Sequence, residues 1–166
     1  MNAAFDSIHY RHVLSHLPTG VVVVTGVSEQ GDPAGVTIGS LASVSLDPPL
    51  VGFFQGTKSR TWPLIAQSGL FCVNVLAQSQ EELCWRFAKE VADGGGRFDE
   101  IDYTLSPNGS PVLPGVLAWI DCSIESLTPA GDHFLVLGRV NDLHTTESHE
   151  TAMVFFKGKV AGVTAH

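Results

Sequence analysis

Apolar and polar positions alternate in this chain mostly with a period of two, and helical spacing is confined to three short stretches. Phe5 to Leu17 reads as an amphipathic helix, capped by Asp6 or Ser7 and stopped by Pro18. The run "GVVVVTGVS" (Gly20 to Ser28) reads as a strand, with a turn at "EQGDP". Next comes "GVTIGSLASVSLDPPLVGFF" (Gly35 to Phe54), read as two strands joined by a kink at Asp47-Pro48-Pro49. After the loop "TKSRT", a short helix has Pro63 in its first turn and stops at Gly69. "LFCVNVLA" alternates as a strand. "SQEELCWRFAKEV" is a helix in which Ser79 and Glu82 have the spacing of a capping box.

From Ala92 to Leu113 the pattern becomes irregular, the longest such stretch, of the kind often used as a lid or binding loop. Three long strands follow, at Gly115–Leu127, His133–Leu143 and Ala152–Val160. No repeat and no linker divides the chain, so residues 1–166 read as one domain. Six or seven strands and about three helices, without βαβ alternation, predict a mainly β fold: an antiparallel barrel, closed or partly closed, with peripheral helices.

Composition narrows the chemistry. With 44% hydrophobic and 16% charged residues over 166 positions, the chain can bury a full core. Its net charge of −8, with only 9 Lys and Arg, counts against a nucleic acid or an anionic membrane surface as partner. Cys72, Cys84 and Cys122 are far apart in apolar surroundings, which predicts buried free thiols and no metal site. The N-terminus carries no basic-plus-apolar leader and no apolar run reaches spanning length, so a cytoplasmic location is expected.

The Gly35–Phe54 stretch is unusual because Thr37, Gly39, Ser40, Ser43 and Ser45 occupy positions where a core strand would carry Val or Ile. Small residues leave peptide groups reachable by a flat ligand with hydrogen-bonding edges, such as an isoalloxazine ring; they serve a tight barrel corner equally well. "GTKSRT" (Gly56 to Thr61) sets two cations and three hydroxyls before a helix. That suits a phosphate held by Lys58, Ser59, Arg60 and Thr61, or an ordinary cap with solvated cations. Slot and nest in one segment fit a phosphorylated ring cofactor better than either does alone. "GGGR" (Gly94 to Arg97) follows a helix and is no dinucleotide fingerprint. His9, His12 and His16 share a helix face without carboxylate or cysteine, and are read as partly buried packing histidines; His144, His149 and His166 read as incidental. His133 stands at a turn–strand junction beside Asp132, where it can present a protonatable ring to a cleft or simply belong to a hairpin turn.

Together "LPTGVVVVTG", "GVTIGSLASVSLDPPLVGFF", "KSRTWPLI", "FCVNVLAQSQEELCWRFA", "GRF" and "GDHFLVLGRV" resemble the short-chain flavin reductases of two-component monooxygenases, in that family's order and over nearly the whole chain. The resemblance implies a homodimer of flavin-binding split barrels. It implies ring contacts from the segment holding Thr37, Ile38, Gly39, Ser40, Ser43, Val44 and Ser45, and a phosphate anchor in Gln55, Lys58, Ser59, Arg60 and Thr61. It also implies that Arg97, Phe98 and His133 line the side approached by the nicotinamide nucleotide. The chain departs from the family at Val160, where an aromatic is common. The expected activity is NAD(P)H-dependent reduction of FMN or FAD, with reduced flavin passed to a monooxygenase component. The alternatives are a flavin-storing module without turnover, and a split-barrel oxidoreductase acting on a small organic molecule.

Overall fold

In the computed structural model, which describes residues 5–89, 96–146 and 151–164, the first amphipathic stretch is helix α1 (Ser7–Leu14). Asp6 caps it, its carboxylate accepting the N–H groups of Ile8 and His9 at 2.9 and 3.2 Å. No residue of α1 is buried, and His9, His12 and His16 are exposed rather than partly buried as expected. The reason is where the helix docks: its C-terminal end meets the rest of the chain, through Lys157 N–H to Ser15 C=O (2.9 Å) and the His16–Phe156 ring contact.

Among the described residues, twelve strands follow: β1 (Thr19–Gly20), β2 (Val22–Val27), β3 (Pro33–Ile38), β4 (Ala42–Leu46), β5 (Pro49–Gly56), β6 (Leu70–Val75), β7 (Thr104–Leu105), β8 (Pro111–Val112), β9 (Ala118–Ala130), β10 (His133–Thr145), β11 (Ala152–Phe156) and β12 (Lys159–Val163). Helix α2 (Trp62–Ala66) follows β5, and α3 (Glu81–Ala88) follows β6 after a 3₁₀ turn at Gln78–Gln80. Seven strands form one antiparallel sheet in the order β3-β2-β6-β9-β10-β5-β4, with β1-β11-β12 and β7-β8 beside it. The first and last strands of the large sheet, β3 and β4, are consecutive in the chain. Gly39–Leu41 therefore crosses between the two ends of a sheet that curls without being closed by hydrogen bonds, a barrel split along that seam.

Three local readings change. Gly35 to Phe54 contains three strands rather than two, because the chain also breaks at Gly39–Leu41. Ala152 to Val160 is the larger part of a hairpin. Lys157 (φ 49°) and Gly158 (φ 77°) are both left-handed, as a two-residue turn matching strand twist requires. Ser79 does not cap α3; instead Gln80 turns back, its Oε1 accepting the Ala77 N–H (3.0 Å) while its Nε2 donates to Pro114 C=O (2.6 Å).

Phe53, Trp62 and Phe71 meet edge to face inside the barrel, with Phe53 5.5 and 5.7 Å from the other two ring centres. A second cluster, around Leu76, Phe87, Leu113 and Met153, fills the outer side of β2 and β6. Cys72, Cys84 and Cys122 are buried free thiols; burial first, then neighbouring charge, pushes Cys72 and Cys122 up to about 12, so they stay protonated.

Gly138 explains the glycine of the "LGRV" run. It stands at a register shift between β9 and β10, and a Cβ there would lie 2.4 Å from Phe71 Cζ. Gly138→Ala must displace a fully buried ring in the aromatic cluster. The expected destabilisation is about 2–3 kcal/mol, read as a lower urea midpoint with an unchanged slope.

The segment from Gly96 to Leu113 is no lid. Asn108 Nδ2 donates to Phe71 C=O and Cys122 C=O (both 3.1 Å), and Asn108 N–H donates to the buried Asp121 carboxylate (2.8 Å). Asn74 and Thr25 hold Pro111 and Leu113 in the same way. A backbone without a ladder of its own finds its partners in buried side chains. Residues 90–95, which begin the irregular stretch and include Gly94 and Gly95, lie outside the described residues, as do His149 and His166.

Candidate functional site

Strand β4 is the exposed edge of the large sheet, not a buried strand: Ser43 and Val44 are exposed and Leu46 is 92% exposed. Small residues here leave one backbone edge of the sheet open. The ladder pairs Ser43 with Val51 and Ser45 with Leu50, so Val44 is the extra residue of a bulge. Bulges re-aim side chains and edges next to sites. Of the hydroxyls, Thr37 Oγ1 donates to Cys84 C=O (2.7 Å), fixing β3 to α3. Ser40 Oγ accepts from Phe54 N–H (2.9 Å) and donates to Phe54 C=O (3.3 Å), tying the seam to β5. Ile38 is buried in the barrel core, whereas Gly39 is exposed. The side chains of Thr37 and Ile38 therefore serve the scaffold, while Gly39, Ser40, Ser43, Val44 and Ser45 border the open edge.

The phosphate nest differs in its parts from the sequence reading. Helix α2 has only five residues, so its dipole is small, and charge rather than the helix end must attract an anion. Ser59 Oγ accepts Trp62 N–H (3.1 Å) and thereby starts the helix, whereas Thr61 Oγ1 accepts from Arg97 Nη1 (3.0 Å). Thr57 is pinned from both N–H and Oγ1 to Asp132 C=O, each at 3.0 Å. Gln55, Lys58, Ser59, Thr61, Phe87 and Arg97 line a cavity of about 220 Å³. Gln55 is buried there, and its Oε1 has no hydrogen-bond partner among the described residues. A buried amide oxygen without a partner costs free energy that a ligand carrying a donor would recover. Arg60 is exposed and does not line this cavity.

His133 begins β10 directly opposite Gly56, with Phe134 opposite Gln55. Its Nδ1 lies 2.7 Å from Asp132 Oδ1. The hydrogen bond and charge of His133, with Lys58 as a smaller contributor, hold the Asp132 carboxyl below the ordinary carboxylate range. The ladder register thus joins the nest and the histidine within one corner of the sheet.

Arg97 and Phe98 are placed differently. Arg97 is buried; its Nη1 donates to Gly35 C=O (2.9 Å) as well as to Thr61, and its Nη2 to Lys89 C=O. It braces β3, α2 and the end of α3, and it shares a cavity with Lys58 rather than the cleft lined by His133. Phe98 packs on Phe87 and Tyr103, with ring centres 5.0 and 5.4 Å away. Neither side chain lines the His133 cleft. Phe54, which sequence reasoning missed, does line the His133 cleft. Its signal was the phase of β5, which turns Phe53 inward and leaves Phe54 48% exposed.

An open peptide edge, a cationic nest and an imidazole at one sheet corner can hold a flat phosphorylated ring with room for a second ring beside it. The flavin reductase-like domain family profile matches residues 14–164. A flavin reductase from Pseudomonas putida is 44% identical over 99% of this chain and 95% of its own. The reductase subunit HsaB of a flavin-dependent monooxygenase from Rhodococcus jostii is 43% identical over 96% of this chain and 80% of its own. The solved NADH:FAD oxidoreductase SgcE6 of Streptomyces globisporus superposes with a TM-score of 0.88 at 31% identity, covering 99% of this chain and 98% of that one. SgcE6 has also been solved in complex with NAD and FAD fragments.

Proposed function

Because the chain belongs to the flavin reductase-like domain family, we propose that it is an NAD(P)H:flavin oxidoreductase that reduces FMN or FAD and supplies reduced flavin to a monooxygenase component. One observation carries the reading: the β5–β10 register sets His133 opposite Gly56, one residue from the buried, partnerless Gln55 amide oxygen and two from Lys58. A bound flavin supplies the hydride acceptor. The chain's own part is to hold and orient. Gln55, Lys58 and Ser59 are placed to take the ribityl phosphate, with Arg60 adding charge from outside and Arg97 keeping Thr61 and the loop in position. The open edge from Gly39 to Ser45 offers peptide donors and acceptors to the ring's pyrimidine side, where negative charge develops on reduction. Asp132 accepts from His133 Nδ1–H, so Nε2 is left to meet the nicotinamide nucleotide. Hydride transfer abstracts no proton, so His133 positions rather than acts as a base.

The decisive assay mixes the protein with NADH or NADPH and with FMN or FAD, and follows nicotinamide oxidation; no flavin-dependent loss in any combination overturns the reading. His133→Ala is expected to raise the KM for NADH about tenfold while changing flavin affinity less than twofold. The reverse pattern would reassign the residue to the flavin. A homodimer is part of the proposal, supported by the exposed Leu46, Leu143 and Val163. Among the described residues, no helix is long and apolar enough to cross a membrane.

A further inference from the structure

We propose that helix α1 carries the subsite for the adenosine-phosphate half of the nicotinamide dinucleotide, with Arg11 holding phosphate and Tyr10 and Phe5 stacking on the adenine. This rests on the reductase reading above and extends it to a part of the chain that the site so far does not use.

A cleft of about 600 Å³ separates α1 from the start of β10. That size is in the range of small-molecule sites. Phe54, Asp132 and His133 form one wall, and Phe5, Tyr10 and Arg11 form the other. The first wall belongs to the site already described: His133 stands opposite Gly56, and Phe54 is bound through both peptide groups to Ser40 at the seam. A dinucleotide whose nicotinamide ring reaches the open edge beside His133 has the remainder of its length to place, and this cleft is where the walls continue.

The second wall has the chemistry for that remainder. Phe5 and Tyr10 stand with ring centres 5.3 Å apart and planes tilted by 59°, and they are 76% and 50% exposed. Two neighbouring aromatics lining this cleft offer π-faces to a flat base. The Arg11 guanidinium makes no hydrogen bond or ion pair among the described residues, whereas Arg86 and Arg139 are both paired with glutamates. A guanidinium suits phosphate because it donates two parallel N–H groups. The acid in the cleft, Asp132, is already engaged by His133, and Lys58 adds positive field from the loop beyond. Arg11 and Lys58 thus offer positive charge on either side of the one carboxylate that lines the cleft.

The test uses NADH, which has the adenosine half, and reduced nicotinamide mononucleotide, which lacks it. Arg11→Ala is expected to raise the KM for NADH about tenfold with kcat within twofold, and to change the KM for the mononucleotide less than twofold. Arg11→Lys should recover part of the loss. ADP-ribose titrated calorimetrically should bind Arg11→Ala and Tyr10→Ala about tenfold more weakly than the parent protein, a readout that needs no turnover. Wild-type levels of NADH KM and ADP-ribose affinity in both variants would overturn the subsite while leaving the reductase function standing. Equal losses with NADH and the mononucleotide would also overturn it, by placing Arg11 at the nicotinamide end. A parent protein that oxidises neither nucleotide would instead sink the reductase reading, and the subsite with it.

Discussion

Asn74→Asp is expected to destabilise the protein by about 4 kcal/mol at pH 8, enough to leave a protein of ordinary stability largely unfolded. Asn74 is fully buried; its Nδ2 donates to Val23 C=O (3.2 Å), Thr25 Oγ1 (3.0 Å) and Pro111 C=O (3.3 Å), and its Oδ1 accepts Leu113 N–H (2.8 Å). The aspartate has the same shape, but it turns a donor into an oxygen facing two carbonyls. Left ionised it is a buried charge without compensation, so its folded-state pKa must rise above the unfolded value. A group raised in this way is least harmful below the unfolded pKa, where both states carry the proton and the acid donates one hydrogen bond. The penalty then grows as the pH rises through the carboxylate range toward the folded pKa. Urea melts at pH 4 and pH 8, each against the parent protein, should therefore show the smaller deficit at pH 4. A deficit under about 1 kcal/mol at pH 8, or one that shrinks as pH rises, would mean that Asn74 does not staple the 106–113 segment to the sheet.

Lys58→Glu is expected to weaken FMN binding about 100-fold while leaving the melting temperature unchanged. Lys58 is exposed and its side chain makes no hydrogen bond or ion pair among the described residues, so its removal exposes nothing. It does line the nest with Gln55, Ser59 and Thr61, and its field reaches Asp132. A charge-assisted hydrogen bond to phosphate is worth about 1.5–3 kcal/mol, and reversal adds repulsion to the loss. At about 1.4 kcal/mol per decade, two decades of affinity follow. Flavin fluorescence titration checks this, and riboflavin is the control. Lacking the phosphate, riboflavin should bind parent and variant alike. Equal losses for FMN and riboflavin would move Lys58 from the phosphate to the ring, and an unchanged FMN affinity would remove it from the site.

Residues that speak through local physics were readable in order. The valines of β2, the Asp6 cap and the buried cysteines need only neighbours in sequence to be understood, because burial and turn chemistry act over a few residues. The family motifs added the cofactor class. What the sequence does not show is the partner far away in the chain. The Thr37 hydroxyl donates to Cys84, forty-seven positions on, which leaves only its peptide groups for a ligand. The Arg97 guanidinium is held by Gly35, Thr61 and Lys89. His9, His12 and His16 share a face with apolar residues, as core residues do, but no described residue buries that face.

The sequence by itself thus determined the element types, the mainly β architecture and the segments in which small hydroxyls and cations collect. It did so because alternation, capping and turn preference are properties of short windows. Only the tertiary structure decided that Gly39 to Ser45 is an open edge beside a split rather than a buried strand. Edge and centre differ by which strand pairs next, and that choice was made by β9 and β10 more than seventy residues downstream. The same long-range register set His133 against Gly56 and so joined the histidine to the phosphate loop. Hydrogen bonds between distant strands, not the local pattern, turned two suggestive segments into one site.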